Sequence, residues 1–296
     1  EAMKLGAPLL HDEPEYVNFA DSDPNRNLAA EIRIDIGDVE AGFADADYIF
    51  EDDYEVPKVQ QAHLEPHVVI TYWDEDDRLV IRTSTQVPFH ARRILAPVLG
   101  LPIKRIRVIK PRIGGGFGGK EDIAGQIHAA MLALVTQRPV KLLFDRHESL
   151  LVHPKRHATQ IRVKLGFKRD GTLTAAQTEL YGDTGAYASL GTKVMGRATT
   201  HSTGPYIVPN VKIDCYAMYT NNPPAGAFRG FGAFQAAFAI ECAMDRAAEE
   251  LGLDRIELRR KNALRKGAIT NTGQLLRESV GLLECIDQTE AEILQY

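Results

Sequence analysis

Arg112-Ile113-Gly114-Gly115-Gly116-Phe117-Gly118-Gly119-Lys120-Glu121 is the densest glycine stretch of the chain, with five glycines in the six positions from Gly114 to Gly119. Without side chains, backbone N–H groups can approach a ligand closely, and a helix expected at about 122–136 would add its positive end. Two phosphate-binding readings fit part of the stretch. Gly114 to Lys120 satisfies G-x-x-x-x-G-K, but Glu121 stands where a P-loop needs a Mg²⁺-binding Ser or Thr. Gly114, Gly116 and Gly119 satisfy G-x-G-x-x-G, yet 135–144 offers no acidic residue to hold a ribose. A third local reading is a glycine turn packed tightly against other backbone.

Outward from this loop, β-rich runs are expected at 48–56, 67–73, 78–83, 104–110, 140–144, 158–167, 172–182 and 211–220. The acidic turn Asp74-Glu75-Asp76-Asp77 separates two of them, and Lys168-Arg169-Asp170-Gly171 separates two others. Helical spacing marks 88–99, about 122–136, about twenty residues ending before Gly252, then 253–264 and 280–295. Strands and helices intermix without a regular βαβ repeat. The expectation is therefore α+β, mixed sheets with packed helices, rather than a doubly wound sheet. Residues 1–30 read as an extended connector, because Asp21-Ser22-Asp23-Pro24-Asn25-Arg26-Asn27 is turn chemistry without periodicity. The folded unit is expected over 31–296, with a division into two α+β subdomains near 145–157.

Composition narrows the function. The chain has 296 residues, 35 Lys+Arg against 40 Asp+Glu, and a net charge of −5, which disfavours a nucleic-acid partner. No apolar run reaches the roughly 18 residues of a membrane span. Cys215, Cys242 and Cys285 are far apart and odd in number, so they suit a reducing cytoplasm and house no iron–sulfur cluster by themselves.

A second dense loop, Pro223-Pro224-Ala225-Gly226-Ala227-Phe228-Arg229-Gly230-Phe231-Gly232, precedes the long helix. Its rings can wall a planar heterocycle, and its guanidinium offers fixed planar donors. Alone, it also reads as a helix-entry loop with Phe228 and Phe231 in the core. G-G-G-F-G-G-K-E followed about 110 residues later by A-F-R-G-F-G resembles the molybdenum-cofactor-binding (molybdopterin) subunit of the xanthine dehydrogenase and aldehyde oxidase family. Leu64-Glu65-Pro66, Ser84-Thr85-Gln86, Lys155-Arg156-His157 and Gly182-Asp183-Thr184-Gly185-Ala186-Tyr187 add to the resemblance. So do Gly37-Asp38-Val39, Phe43 and Ala46-Asp47, and it extends over about 25–283. Gly204-Pro205-Tyr206-Ile207-Val208-Pro209-Asn210 and Tyr219-Thr220-Asn221-Asn222-Pro223 are most similar to the nicotinate dehydrogenase type, whose large subunit is split.

The resemblance implies a molybdenum hydroxylase that oxidises an aromatic N-heterocycle, purine or nicotinate-like, with water as the oxygen source. The cofactor is then molybdopterin in a cytosine dinucleotide form. Electrons pass to a [2Fe-2S] subunit and an FAD subunit. Matched residue by residue, Gln86 and Arg229 take catalytic places, and Gly116, Phe117, Gly118, Ala227 and Phe228 line the cofactor with them. Phe117 and Phe231 match an aromatic clamp on the substrate, and Glu121 and Arg156 match a polar pair that orients purines. Gly226 stands where the copper-containing carbon monoxide dehydrogenases have a cysteine. The family's catalytic glutamate lies in a carboxy-terminal half that this sequence does not contain. The chain is thus expected to act with that half, either as a separate subunit or as part of a longer polypeptide.

Two other readings stay open. His63, Glu65 and His67 alternate on an expected strand, as the ligands of a metal-dependent hydrolase would. A non-catalytic scaffold or interaction subunit is the other.

Overall fold

The computed structural model describes residues 1–11 and 22–293. In chain order the elements are β1 (Leu28–Ile36), α1 (Val39–Ala44), β2 (Tyr48–Val56), β3 (Val68–Trp73), β4 (Leu79–Thr83) and α2 (Pro88–Val98). Next come β5 (Ile106–Ile109), α3 (Gln126–Thr136), β6 (Val140–Leu143), α4 (Arg146–Val152), β7 (Thr159–Phe167) and β8 (Leu173–Gly185). The chain continues through α5 (Gly191–His201), β9 (Asn210–Tyr219), α6 (Ala233–Leu251), α7 (Arg255–Asn262) and α8 (Leu282–Ile293).

Two mixed sheets result, and the fold is α+β. The larger runs β1-β9-β8-β7-β2, antiparallel except for the parallel pair β8/β9. The smaller runs β5-β4-β3-β6, with β4/β5 parallel. Strand β9 alternates strictly, burying Val211, Ile213, Cys215, Ala217 and Tyr219 on one face. Onto that side pack α5 and the alanine-rich face of α6, where Ala236, Ala239, Ile240, Ala243 and Ala247 recur at helical spacing. Small residues on this face let helix and sheet approach closely. A second core joins Val69, Leu79, Ile81 and Ile106 of the small sheet to Leu95 of α2 and Ala129, Ala130 and Ala133 of α3.

The small sheet is an insertion. Strands β2 and β7 are hydrogen-bonded neighbours from Val56↔Thr159 onward, so the whole 68–143 unit leaves and returns between them. The chain enters that unit between Val56 and Val68 and leaves it between Leu143 and Thr159. The connector expected at 1–30 is shorter in the structure, because β1 already begins at Leu28. Part of that expectation, residues 12–21, lies outside the described residues, as do 294 and 295 of the expected last helix. The amino-terminal segment is held by Asn27, whose Nδ2 donates to the carbonyls of Ala2 and Pro8 and whose Oδ1 accepts from Leu10 N–H.

Asn262 ties α7 to the large sheet. Its Nδ2 donates to the Gly171 carbonyl at 2.8 Å and the Leu258 carbonyl at 2.9 Å, and its Oδ1 accepts from Leu173 N–H at 2.9 Å. The residue is buried, so truncation leaves these main-chain groups unpaired. Asn262→Ala should cost about 2 kcal/mol in a denaturant titration; a cost below about 0.5 kcal/mol would contradict this role.

Candidate functional site

The two glycine loops meet backbone to backbone. Gly118 has φ +95, and a Cβ there would lie 2.7 Å from the Ala227 carbonyl oxygen and 3.0 Å from Phe228 N. No side chain fits that gap, and a left-handed φ disfavours one in any case. Arg229 N–H donates to the Phe117 carbonyl at 2.9 Å, closing the junction. Gln61, buried, adds a strut by donating its Nε2 to the Ala227 carbonyl at 2.6 Å. Phe117 stands 52% exposed at the tip of the first loop in a left-handed conformation (φ 56). Phe231 is half-buried with φ 48, and Arg229 is exposed.

Gln86 lies beneath the first loop. Its Oε1 accepts from Gly118 N–H at 3.0 Å and Lys120 N–H at 3.3 Å, while its Nε2 donates to Glu121 Oε1 at 3.4 Å. A Cβ on Gly116 would run into that amide oxygen. The oxygen is thus occupied by the loop itself, and the NH₂ is the end left to serve a ligand.

The phosphate-loop readings do not survive the geometry. Lys120 is turned inward with its side chain fully buried, and its Nζ reaches Glu65 Oε2 at 2.5 Å. Helix α3 begins at Gln126 behind the left-handed Gly125, so no helix end opens at Gly119. Burial alone would raise the Glu65 carboxyl, but hydrogen bonds from Lys120, Ser84 and Gly114 N–H outweigh it and hold the group at about 2.

Glu65 is thereby committed to Lys120, which removes it from a His63/Glu65/His67 metal centre. No group of three or more His, Cys, Asp or Glu among the described residues is disposed to hold a metal. His63 and His67 instead join His153, at ring-centroid distances of 4.9 Å (63–67), 4.5 Å (67–153) and 6.0 Å (63–153). All three are buried behind the glycine loop, where His67 Nε2 donates to the Gly119 carbonyl at 3.2 Å. That fixes the tautomer, so Nδ1 accepts from Ser149 Oγ at 3.2 Å.

Glu121 and Arg156 are not brought together as an ion pair. Burial raises the Glu121 carboxyl, whose hydrogen-bonding neighbour is Gln86. Arg156 is turned into the protein under the second loop, where Nη2 donates to the Arg229 carbonyl at 3.2 Å. Asp122 completes the junction: burial pushes it up to about 6, against a hydrogen bond from Ser189 Oγ and with the charge of Glu121 adding. A Cβ on Gly226 would strike this carboxylate. Gln61, Asp122 and His153 are not picked out by the sequence reading, since each acts through a partner remote along the chain: the Ala227 carbonyl, Ser189 and the His63/His67 rings.

The histidines make a pH prediction. Burial lowers His67 to about 4 and His153 to about 2, with nearby Lys120, Arg146 and Lys155 opposing further charge. The unfolded chain, with histidines near 6.5, is then the better proton binder. Stability is full above about pH 6.5 and falls as pH drops, by up to about 1.4 kcal/mol per pH unit for each histidine. Urea titrations at about pH 7 and about pH 5 should show a smaller loss for His153→Leu than for the wild type. Equal losses would contradict the neutral cluster.

Residues 19–263 match the family profile described as Molybdopterin cofactor-binding domain. The chain is 43% identical over 294 residues to the nicotinate dehydrogenase large molybdopterin subunit of Eubacterium barkeri, covering 99% of this chain and 66% of that protein. It is 36% identical over 267 residues to the xanthine dehydrogenase molybdenum-binding subunit of Escherichia coli O157:H7, covering 88% and 35%. Among solved structures, the aldehyde oxidoreductase of Desulfovibrio gigas superposes with a TM-score of 0.88 at 31% identity, over 97% of this chain and 32% of that one. The chain thus spans about two thirds of the first relative and about a third of the other two.

Proposed function

The chain belongs to the molybdopterin cofactor-binding domains of the xanthine dehydrogenase family, and on that premise we propose that it forms one wall of a molybdenum hydroxylase site. The observation that carries this reading is the backbone junction of the two loops. It places Phe117 and Arg229 on either side of a single hydrogen bond, with the Gln86 amide directly beneath Gly116 and Gly118. The substrate class is an aromatic N-heterocycle, purine or nicotinate-like.

The residues fit the cofactor. Gly116 and Gly118 offer bare backbone, Gln86 has an NH₂ to give, and Arg229 is exposed. Gly116, Phe117, Gly118, Ala227, Phe228 and Arg229 would line molybdopterin, in its cytosine dinucleotide form. When bound, the cofactor supplies the two-electron oxidation that places oxygen from water on a ring carbon. The protein's part is orientation. Gln86 donates from an amide whose other end is pinned, so little reorganisation accompanies binding. Phe117 and Phe231 are the apolar plates for a flat ring, and offset stacking suits an electron-poor heterocycle. Glu121, with its carboxyl raised by burial, would share a proton with a ring nitrogen. Arg229 supplies a fixed cation to negative charge.

The proton-accepting carboxylate belongs to a carboxy-terminal half, and a [2Fe-2S] subunit and an FAD subunit take the electrons. No described helix is long and apolar enough to cross a membrane. The cytoplasm is the proposed location, in keeping with three free cysteines.

In the assembled enzyme, Gln86→Ala should lower kcat by about 10²-fold with unchanged circular dichroism; an unchanged kcat would overturn its role. Elemental analysis of the native enzyme should find molybdenum, about one per protomer. Zinc in its place would overturn the cofactor assignment.

A further inference from the structure

Arg156 is only 6% exposed, and no carboxylate pairs with it among the described residues. Burial lowers its pKa, so the fold holds this cation at a cost and must offset it locally. The offset comes from two rings. The guanidinium carbon lies 4.1 Å from the centroid of Phe228 and 4.1 Å from that of Phe234. These rings bracket the 229–233 segment, one before it and one in the first turn of α6. Contacts between a cation and a ring face strengthen as the cation leaves water, and Arg156 is nearly out of it although Phe234 keeps one side exposed.

The same guanidinium reaches the main chain between them, donating from Nη2 to the Arg229 carbonyl at 3.2 Å. Arg229 is then fixed on both sides, since its N–H is held by the Phe117 carbonyl. The next three residues all lie at positive φ: Gly230, Phe231 and Gly232 have values of 97, 48 and 100. For Phe231, which has a Cβ, that conformation is strained. Its local anchor is the hydrogen bond from Phe231 N–H to the Phe228 carbonyl at 2.7 Å. Arg156 is itself rigidly placed. Its N–H donates to Val59 O at 2.9 Å, and the preceding Lys155 carbonyl accepts from Gly226 N–H at 2.9 Å.

We propose that Arg156 is a positioning residue that rivets the second loop to α6 and so presents Arg229 and Phe231 to the cofactor and substrate. It touches neither itself. The inference rests on the hydroxylase reading for its consequence in catalysis, and on main-chain geometry alone for its mechanical part. A lysine cannot replace it, because an ammonium lacks the planar face that lies between two rings and the fork that reaches the carbonyl.

The experiment uses the assembled enzyme with Arg156→Lys, Arg156→Ala and Phe234→Leu, the last keeping the arginine while removing one plate. Amide hydrogen exchange is followed at Arg229 and Phe231, with kcat, KM and molybdenum content measured in parallel. The expected result is exchange at both amides faster by about tenfold or more in Arg156→Ala and Arg156→Lys, with a smaller rise in Phe234→Leu. Molybdenum content should persist, kcat should fall about tenfold, and KM should rise. Millimolar guanidinium should restore part of the Arg156→Ala activity where equal sodium chloride does not. Unchanged exchange in Phe234→Leu and in whichever Arg156 variants fold would overturn the proposal. So would variants that retain wild-type kcat and KM in an active enzyme. If the wild type held no molybdenum and hydroxylated nothing, the family reading would fail, and the exchange data would still decide the rivet.

Discussion

The approach of Gly118 to the Ala227 carbonyl is the constraint on which the rest of this structure depends. Two loops more than a hundred residues apart share one main-chain junction, and there is no room at it for a single methyl group. The arrangement above and below keeps those backbones in contact. On the outer side, Phe117 and Arg229 are joined by the hydrogen bond that closes the junction. On the inner side, the Gln86 amide oxygen and the Gln61 amide nitrogen satisfy the polar groups that the contact leaves over.

The topology explains how such a junction is held. The first loop belongs to the inserted small-sheet unit, and the second leads into α6 on the large sheet. Because the insertion leaves and returns between the paired strands β2 and β7, both ends of it are anchored to the same sheet. A polar underlayer braces the first loop through Lys120 to Glu65 and His67 to Gly119, and Ser189 to Asp122 ties it to the large-sheet side. This layer keeps its charges paired or suppressed, as the lowered histidines and the raised Asp122 indicate. Arg156 stays behind the second loop as a buried cation held against two rings, while Arg229 is exposed on the outer side.

Much of this is legible in the sequence, for definable reasons. Strand 48–56 and helix 233–251 follow from periodicity, which is a local property, and both match the structure within a residue or two. The two loops stand out because glycine density at that level has few explanations. Helix α4 is not legible, since seven residues are too few for a period, although Asp145 and Glu148 form a capping box at its start. Helix α5 contains two glycines and three threonines, and tertiary packing on the large sheet overrides that weak propensity. Helix α3 starts four residues later than its apolar spacing suggests, because Gly125, which falls inside the expected helix, is left-handed and stands as its N-cap. The direction in which Arg156 points cannot be read at all. A lysine-arginine-histidine triplet gives no sign that the middle residue will lie between two rings some seventy residues away.

The most direct test is Gly118→Ala in the assembled enzyme, read by molybdenum content after purification beside far-ultraviolet circular dichroism. A methyl group 2.7 Å from the Ala227 carbonyl forces the loops apart while the two cores, which lie elsewhere, stay packed. The account predicts native secondary structure with molybdenum lost. Full molybdenum content in a folded Gly118→Ala protein would contradict it.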